Sequence, residues 1–309
     1  MTFPSFIQQL LNAMQWGSFY ALIALGYTMV YGVLLLINFA HGDIFMVGAY
    51  VGFYIATFFL GQYGYLPYDL PGWAVIILTL ILTMLITATV GVFIERVAYR
   101  TMRDRGSPRL YLVITALMIG LLLENGNLAL LGARDFKFPE LIPRHVYTFG
   151  DISISNIKII VIISSILIMA ALWYLVTHTK LGLAMRAISY DRVATPLMGV
   201  PTDNIIVSTF VIGSSLAAFA AILFGSAYPI LSYDMGILIG WKAFIAAVVG
   251  GIGSIQGAML GGYLLGFTEI FVAAFFPSTM RDLISFTILL LILTFRPRGI
   301  FGIARRQKV

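Results

Sequence analysis

The sequence contains no cysteine, carries few charged residues, and has no lysine or arginine before Arg96. The missing cysteines exclude disulfides, thiolate metal ligands and a cysteine nucleophile. Charged residues make up 10% of the chain, against roughly 25% in soluble domains. Since a secretory signal needs a basic stretch before its apolar run, we expect the first apolar run to be retained. These features predict a membrane protein.

Common signatures of nucleotide, metal and hydrolase chemistry are also missing. None of the five lysines follows a glycine, so there is no phosphate-binding loop of the form G-x-x-x-x-G-K-[ST]. His41, His145 and His178 lie far apart and lack partners at metal-ligand spacing. The motifs G-x-S-x-G and H-E-x-x-H are absent. We predict a non-enzymatic chain with no cofactor and no metal of its own. The net charge of +6 does not imply a nucleic-acid partner, because basic residues in the loops of a membrane protein mainly set its orientation.

Long apolar runs fill most of the chain, which is 60% hydrophobic with a mean hydropathy of +0.97. About 20 apolar helical residues cross ~30 Å of hydrocarbon. Nine candidate spans follow: Leu10–Leu36, Ile44–Leu60, Trp73–Ile94, Leu110–Leu131, Ile157–Val176, Ile205–Phe224, Ile237–Gly250, Ile255–Phe276 and Leu283–Phe295. The seventh and ninth are short, and can be tilted, broken or re-entrant. The predicted fold is an all-α polytopic membrane protein, one domain over 1–309 with about 8–10 transmembrane helices.

Basic residues cluster in three patches, which the positive-inside rule places in the cytoplasm. The patches comprise Arg96, Arg100, Arg103, Arg105 and Arg109, then Lys180, Arg186 and Arg192, and finally the tail 296–309 with Arg296, Arg298, Arg305, Arg306 and Lys308. Two predicted spans lie between the first and second patches, and four lie between the second and third. Because both numbers are even, all three patches can lie on the same side of the membrane. Three predicted spans precede Arg96, which places the N-terminus outside and the C-terminus inside.

Four segments are then predicted to lie outside: 61–72, 132–156, 225–236 and 277–282. The longest, 132–156, carries charges of both signs. Two interpretations of it stay open, a docking surface for an external partner and a solvated loop.

The charged segment 177–200 interrupts the apolar sequence and contains a helical stripe. Its members recur at steps of three and four residues: Leu183, Ala187, Tyr190, Ala194 and Leu197. We expect Gly182 to precede this helix and Thr195-Pro196 to limit it, because the residue before a proline avoids the α region. Spacing alone leaves two interpretations, a helix that fits a socket on a partner protein and one that lies on lipid headgroups.

The polar turn Asn38–Asp43 lies between two predicted spans, where unpaired polar groups are costly. One interpretation makes Asn38, Phe39, His41 and Asp43 part of a translocation path or a gating turn. The other is a helix-breaking connection in which Asn38 or Asp43 caps a helix N-terminus.

Several polar side chains fall within the predicted spans: Glu124, Asn125, Lys242 and Glu269. A charge at a span centre costs about 2.5–3.5 kcal/mol and is a functional candidate by default. A carboxylate here can pair with a substrate's ammonium group and the lysine with its carboxylate, while Phe39 and Phe244 offer apolar surface. Alternatively, these charged groups pair with each other or with the backbone inside the bundle.

Glycines recur every four residues at Gly253, Gly257 and Gly261. This spacing predicts a flat ridge that another helix can approach closely. Whether that helix belongs to this chain or to another subunit stays open.

Four blocks of the chain carry a family resemblance. They are I-N-F-A-H-G-D at 37–43, G-x-A-x-R-A-x-x-x-D-x-x-A-x-x-x-x-G-V at 182–200, K-A-F…G-G-I-G-S at 242–254, and R-P-R-G-I-F-G at 296–302. In this order, and over nearly the whole chain, they resemble motifs of branched-chain amino-acid ABC permeases of the LivH type. Pro196 departs from the family pattern.

The resemblance implies a permease subunit, in the bacterial inner membrane, of an ATP-driven importer for leucine, isoleucine and valine. It implies four partner subunits besides lipid: a second, LivM-type permease that supplies the other half of the pore, two cytoplasmic ABC ATPase subunits that hold ATP and Mg, and a periplasmic amino-acid-binding protein. The ATPase-coupling residues that it implies are Gly182, Ala184, Arg186, Ala187, Asp191, Ala194 and Gly199.

Other functions stay open on the residues alone. An ion-coupled secondary transporter would use Glu124 or Glu269 as its cation site, and would often show an inverted repeat. A passive channel would need no coupling helix. ABC permeases for other amino acids or small amides would share the same pattern.

Overall fold

The computed structural model describes residues 2–59 and 71–302. Its α-helices are α1 (Phe3–Leu34), α2 (His41–Phe59), α3 (Gly72–Ile94), α4 (Thr101–Asp104), α5 (Arg109–Leu131), α6 (Asn156–His178), α7 (Lys180–Tyr190), α8 (Ala194–Leu197), α9 (Thr202–Ala227), α10 (Met235–Gly250), α11 (Ile255–Phe275) and α12 (Arg281–Phe295). A π-helical segment, Glu95–Arg100, joins α3 to α4, and a short 3₁₀ turn, Ser278–Met280, precedes α12.

Each of the nine predicted spans falls on one of these helices, which confirms the polytopic helical fold. Leu60, part of the predicted segment 61–72 and the tail beyond Gly302 lie outside the described residues. Among the described residues, seven helices are long and apolar enough to cross a membrane, counting Gly72–Asp104 as one. The seventh and ninth predicted spans, α10 and α12, are shorter, at 16 and 15 residues.

Short strands add an element that the helical prediction lacked. The segment 132–156 forms a hairpin of β2 (Val146–Phe149) and β3 (Ile152–Ser155), and β1 (Phe136–Lys137) pairs antiparallel with β4 (Ile230–Leu231). The loop at 132–156 is therefore ordered and joined to the end of α9, because main-chain hydrogen bonds form between segments about 90 residues apart, a separation that local patterning cannot reveal.

Helix α1 is the centre of the bundle, and α11 is its closest partner. Small residues permit the approach: a Cβ added at Gly262 would lie 2.7 Å from the Cβ of Ala21, and one at Gly266 would lie 2.5 Å from the Cα of Gly17. Close helix contact through small residues is the typical way to associate helices in lipid. The outer helices α3, α5 and α6 instead expose apolar side chains, as a lipid-facing surface requires.

The predicted glycine ridge needs one correction. Gly253 lies before α11, in a turn with φ of +94°, so it does not share a helix face with Gly257 and Gly261. Those two glycines contact the backbone of Gly250 and Ala246 in α10. The ridge therefore packs within this chain.

Two helices, α2 and α10, begin inside the bundle rather than at its end. The His41 ring lies 4.9 Å from the ring of Tyr27, which precedes the end of α1 by seven residues, or about 10 Å. Gly42 in turn packs against Gly236 and Gly240 at the start of α10. Residues 35–40 thus fold back alongside α1, and α10, with 16 residues, is short for a membrane span.

Candidate functional site

A cavity of about 300 Å³ lies where α2, α5 and α10 meet. Its wall consists of Tyr27, Phe39, Asp43, Leu117, Met118, Gly120, Leu121, Glu124, Gly236, Ile237, Gly240 and Trp241. Three of the predicted path residues, Phe39, Asp43 and Glu124, are brought together here from two separate regions of the sequence. The wall is mainly apolar and holds two carboxylates, so it suits a small, mainly apolar molecule that carries a positive group.

Asp43 occupies a narrow slot between two glycines. A Cβ added at Gly120 of α5 would lie 2.5 Å from Asp43 Oδ2, and one at Gly236 of α10 would lie 2.9 Å from Asp43 Oδ1. Asp43 is buried, with 6% of its surface exposed. It is the third residue of α2 rather than the residue before it, so the helix-capping interpretation was wrong for this residue.

The other members of the polar turn hold the turn in place. Asn38 is buried and its Oδ1 accepts a hydrogen bond of 2.8 Å from the Tyr99 hydroxyl. His41 is buried against Gly26 and the Tyr27 ring. The Asn38 side chain therefore binds the π-helical segment after α3, and His41 packs in the core, whereas neither lines the cavity.

Two further candidates lie beside the cavity without lining it. Phe244 packs its ring 5.2 Å from that of Phe39, behind the cavity wall. Asn125 is exposed on α5, and its Nδ2 donates to the Leu121 carbonyl at 2.8 Å.

Lys242 and Glu269 form a buried ion pair away from the cavity. Lys242 Nζ lies 2.9 Å from Glu269 Oε1 and 2.8 Å from Asp282 Oδ1. The hydroxyl of Tyr20 donates to Glu269 Oε2 at 2.8 Å. The network joins α1, α10, α11 and α12, so these two charges pair with each other, as the second sequence interpretation proposed.

Several cavity residues escaped the sequence prediction. Trp241 and Tyr27 look like ordinary apolar-span residues, and nothing in their spacing marks them. Gly236 and Gly240 stand four apart, the same small-residue signal that singled out the later glycines. That signal was present in the sequence.

The charged segment 177–200, called the coupling segment below after the role that the resemblance implies, forms two helices rather than one. Helix α7 ends at Tyr190 because Asp191 adopts an extended backbone, with φ −149° and ψ 108°. The Asp191 carboxylate then accepts hydrogen bonds of 2.9 Å from the amides of Val193 and Ala194, at the start of α8. The predicted continuous stripe from Leu183 to Leu197 was therefore wrong. The hydrogen bonds of the Asp191 side chain to the backbone compete with continuation of the helix and end it here.

The structure also corrects the expectations for Gly182 and Pro196. Gly182 lies within the first turn of α7, which Thr179 caps, and its Cα faces the backbone of Val176. Pro196 is the third residue of the one-turn helix α8, so it does not end the longer helix. Gly199 has a φ of +81° and lies in the turn that follows α8.

Two arginines of the coupling segment bind helix ends. The Arg192 guanidinium donates to the Leu34 carbonyl at the end of α1, at 3.2 Å, and that of Arg186 donates to the Val176 carbonyl in α6. Because the last carbonyls of a helix lack partners within it, cations bind there favourably. Arg192 thus connects the coupling segment to the chain that leads into the cavity.

A second charged network was not foreseen. Glu95, whose side chain is fully buried, pairs with Arg103 at 3.1 Å, and Asp203 pairs with Arg103 at 2.9 Å and with Arg100 at 2.8 Å. The first basic patch is therefore partly neutralised and fastened to the start of α9.

Comparison with known proteins agrees with this architecture. Residues 9–293 match the family of the permease component of branched-chain amino acid transport systems. The permease BraD of Pseudomonas aeruginosa is 41% identical over 98% of both chains. LivH of Escherichia coli K12 is 39% identical over 99% of both. A probable LivH of Methanocaldococcus jannaschii is 28% identical over 94% of this chain and 91% of its own. All three are named as branched-chain amino acid transport permeases.

No solved structure matches the chain. The match over residues 9–293, the identity over nearly the full length and the multi-pass helical bundle lead to one conclusion: the chain belongs to the family of permease components of branched-chain amino acid transport systems.

Proposed function

We propose that this chain is one permease subunit of an ATP-driven importer for branched-chain amino acids, and that it forms half of the translocation pore. The main support for this proposal is the coupling segment. It exposes large apolar side chains outside the bundle, in a chain that belongs to this permease family. Energy enters from separate ATPase subunits, since the sequence contains no phosphate-binding loop.

The ATPase-docking surface consists of the exposed apolar side chains of α7 and α8. Leu183 is 61% exposed, Val193 80%, Leu197 83% and Met198 82%. Contiguous apolar surface of this kind marks an interaction site, and the arginines nearby favour the cytoplasmic side. The small residues Ala184, Ala187, Ala194 and Gly199 leave the surface flat, whereas Gly182 lets α7 approach the end of α6. Asp191 and Arg186 fix the backbone of the segment.

The second, LivM-type permease closes the cavity from the side of α5. Leu117, Met118 and Leu121 line the cavity and are also exposed, so the cavity is open on that face. A facing subunit would complete its wall and exclude lipid from it. The β-hairpin lies at the opposite end of the bundle from the coupling segment, which suits contact with a periplasmic amino-acid-binding protein.

Alternating access follows from the link between the coupling segment and the cavity. Closure of the ATPases moves α7 and α8, Arg192 transmits this movement to the end of α1, and residues 35–40 carry it to Phe39 and Asp43. The path then opens to one side of the bacterial inner membrane and afterwards to the other.

The test is transport in proteoliposomes that contain the permease pair, both ATPases and the binding protein. We expect leucine uptake that requires ATP. Replacement of both Leu183 and Leu197 by serine should lower uptake and ATPase copurification at least tenfold, while the matched change Leu130→Ser, on an exposed position of α5, should leave ATPase copurification intact. Uptake at full rate by the permease pair without ATPases, or driven by an ion gradient, would overturn the proposal.

A further inference from the structure

We infer that Asp43 binds the ammonium group of the amino-acid substrate in the cavity between α2, α5 and α10, with Glu124 as a second carboxylate of the same site. This inference rests on the proposed function and deepens it, because it assigns a substrate contact to a permease whose selectivity would otherwise be left to the binding protein.

The placement of the Asp43 carboxylate calls for a ligand. The residue is 6% exposed, and its Oδ1 has no hydrogen-bond partner among residues 2–59 and 71–302. Buried carboxylates are normally paired or hydrogen-bonded, since desolvation of an unpaired charge is costly. Asp43 lines the cavity, so a molecule within the cavity can reach it.

Two glycines leave the space that the Asp43 carboxylate occupies. Gly120 and Gly236 face its two carboxylate oxygens, and a methyl group at either position would fall within 3 Å of them. Asp43 also lies in the first turn of α2 and beside the first turn of α10. Helix N-termini stabilise negative charge, so the two helices offset part of the cost of burying this carboxylate.

The charge and shape of the cavity define the ligand class. The described lining residues include Asp43 and Glu124 but no lysine or arginine, so the cavity is negative. The remaining wall is mainly apolar, with Phe39, Leu117 and Trp241 among its members. This combination fits a primary ammonium group attached to a compact apolar side chain, and disfavours an apolar acid without the ammonium group.

The first experiment uses the complete complex in proteoliposomes with Asp43→Asn, which keeps the shape and removes the charge. We expect at least a tenfold loss of leucine uptake and a higher half-saturating leucine concentration. Glu124→Gln should produce a smaller loss of the same kind. The matched control is Asp104→Asn, whose side chain is 61% exposed in α4, and which should transport like the unchanged chain. Unchanged uptake by Asp43→Asn would overturn the inference.

The second experiment needs no change at Asp43. Met118 lines the cavity rim, and the chain lacks cysteine, so Met118→Cys provides a single maleimide target on this subunit. We expect 3-methylbutylamine, which has the ammonium group but no carboxylate, to slow labelling at least threefold. The ammonium-free 4-methylpentanoate should not slow it. Equal protection by both compounds, or by neither, would contradict the ammonium site.

The two failures can be told apart. If the unchanged complex does not import branched-chain amino acids, the proposed function fails, whereas protection of Met118→Cys by the amine can still be measured. If leucine import is ATP-dependent but insensitive to Asp43→Asn, only the ammonium site fails.

Discussion

Charged residues inside the bundle fall into two groups with different surroundings. Lys242 is surrounded by the carboxylates of Glu269 and Asp282, so its charge is compensated within the chain. Asp43 instead faces a cavity, at the position where a group of opposite charge would lie. Paired charges hold helices in register, while an unpaired charge beside a cavity is available for a ligand. The contacts of each residue, more than its position along a span, separate structural roles from transport roles.

The Lys242 pair gives a prediction at this scale. Lys242→Met leaves the buried Glu269 carboxylate with the more distant Arg281, whose Nε lies 4.0 Å from its Oε2. We therefore expect destabilisation of about 3 kcal/mol, the lower end of the range for a buried charge that loses its partner. Adding Glu269→Gln should restore part of that loss, and Lys137→Met, at an exposed position, is the matched control. Thermal unfolding of the purified permease in detergent measures the effect. If Lys242→Met lowered transport at unchanged thermal midpoint, Lys242 would act on substrate instead.

The coupling segment shows how one residue divides an element. The period of apolar residues runs from Leu183 to Leu197, whereas α7 ends at Tyr190 and Asp191 caps the next turn. The result is a bend that exposes Leu183 on α7 together with Val193 and Leu197 around α8. The break at Asp191 places these exposed side chains on two short elements, and Arg192 binds the second of them to the end of α1.

We predict that this bend depends on the acceptor at residue 191. Asp191→Ala removes the cap, at a cost of about 1 kcal/mol in helix stability, and should reduce both ATPase copurification and leucine uptake. Asp191→Asn keeps a side-chain oxygen acceptor and should remain close to the unchanged chain. The measurement is copurification of the ATPase subunits. Equal effects of the two substitutions would show that charge, rather than capping, is required.

At the scale of the whole molecule, the two ends of the bundle carry different structures. The N-terminal part of α1 meets the hairpin, where Gln8 Oε1 accepts from the Ser153 amide at 3.1 Å. The C-terminal end of α1 meets Arg192. The N-terminus and the segment 132–156 therefore lie together at one end, and the coupling segment lies at the other. This arrangement agrees with the sides expected from the basic patches.

The absence of native cysteine makes this orientation testable. With a membrane-impermeant maleimide on intact cells whose outer membrane is permeable to it, Asp151→Cys should be labelled. Met198→Cys, exposed beside α8, should be labelled only after the inner membrane is opened. Labelling of Met198→Cys in intact cells would reverse the orientation and remove the docking surface from the cytoplasm.

The candidate site was only partly predictable. Phe39, Asp43 and Glu124 were identified from their polarity or motif, and the structure brings them to one cavity. Lys242 and Glu269 were identified by the same reasoning but pair elsewhere. Polarity within a span reveals that a residue has a partner, without revealing which partner, because the partner lies on another helix.

The sequence by itself determined the helical membrane class, the positions of the spans and the location of the coupling segment. Each of these depends on local composition, since hydrocarbon selects for continuous apolar helices and charge selects the side. Only the tertiary structure decided that α2 and α10 begin inside the bundle, that Gly120 and Gly236 enclose Asp43, and that Lys242 is neutralised. Those features depend on contacts between helices distant in sequence, where a missing Cβ or one opposite charge decides which surfaces meet.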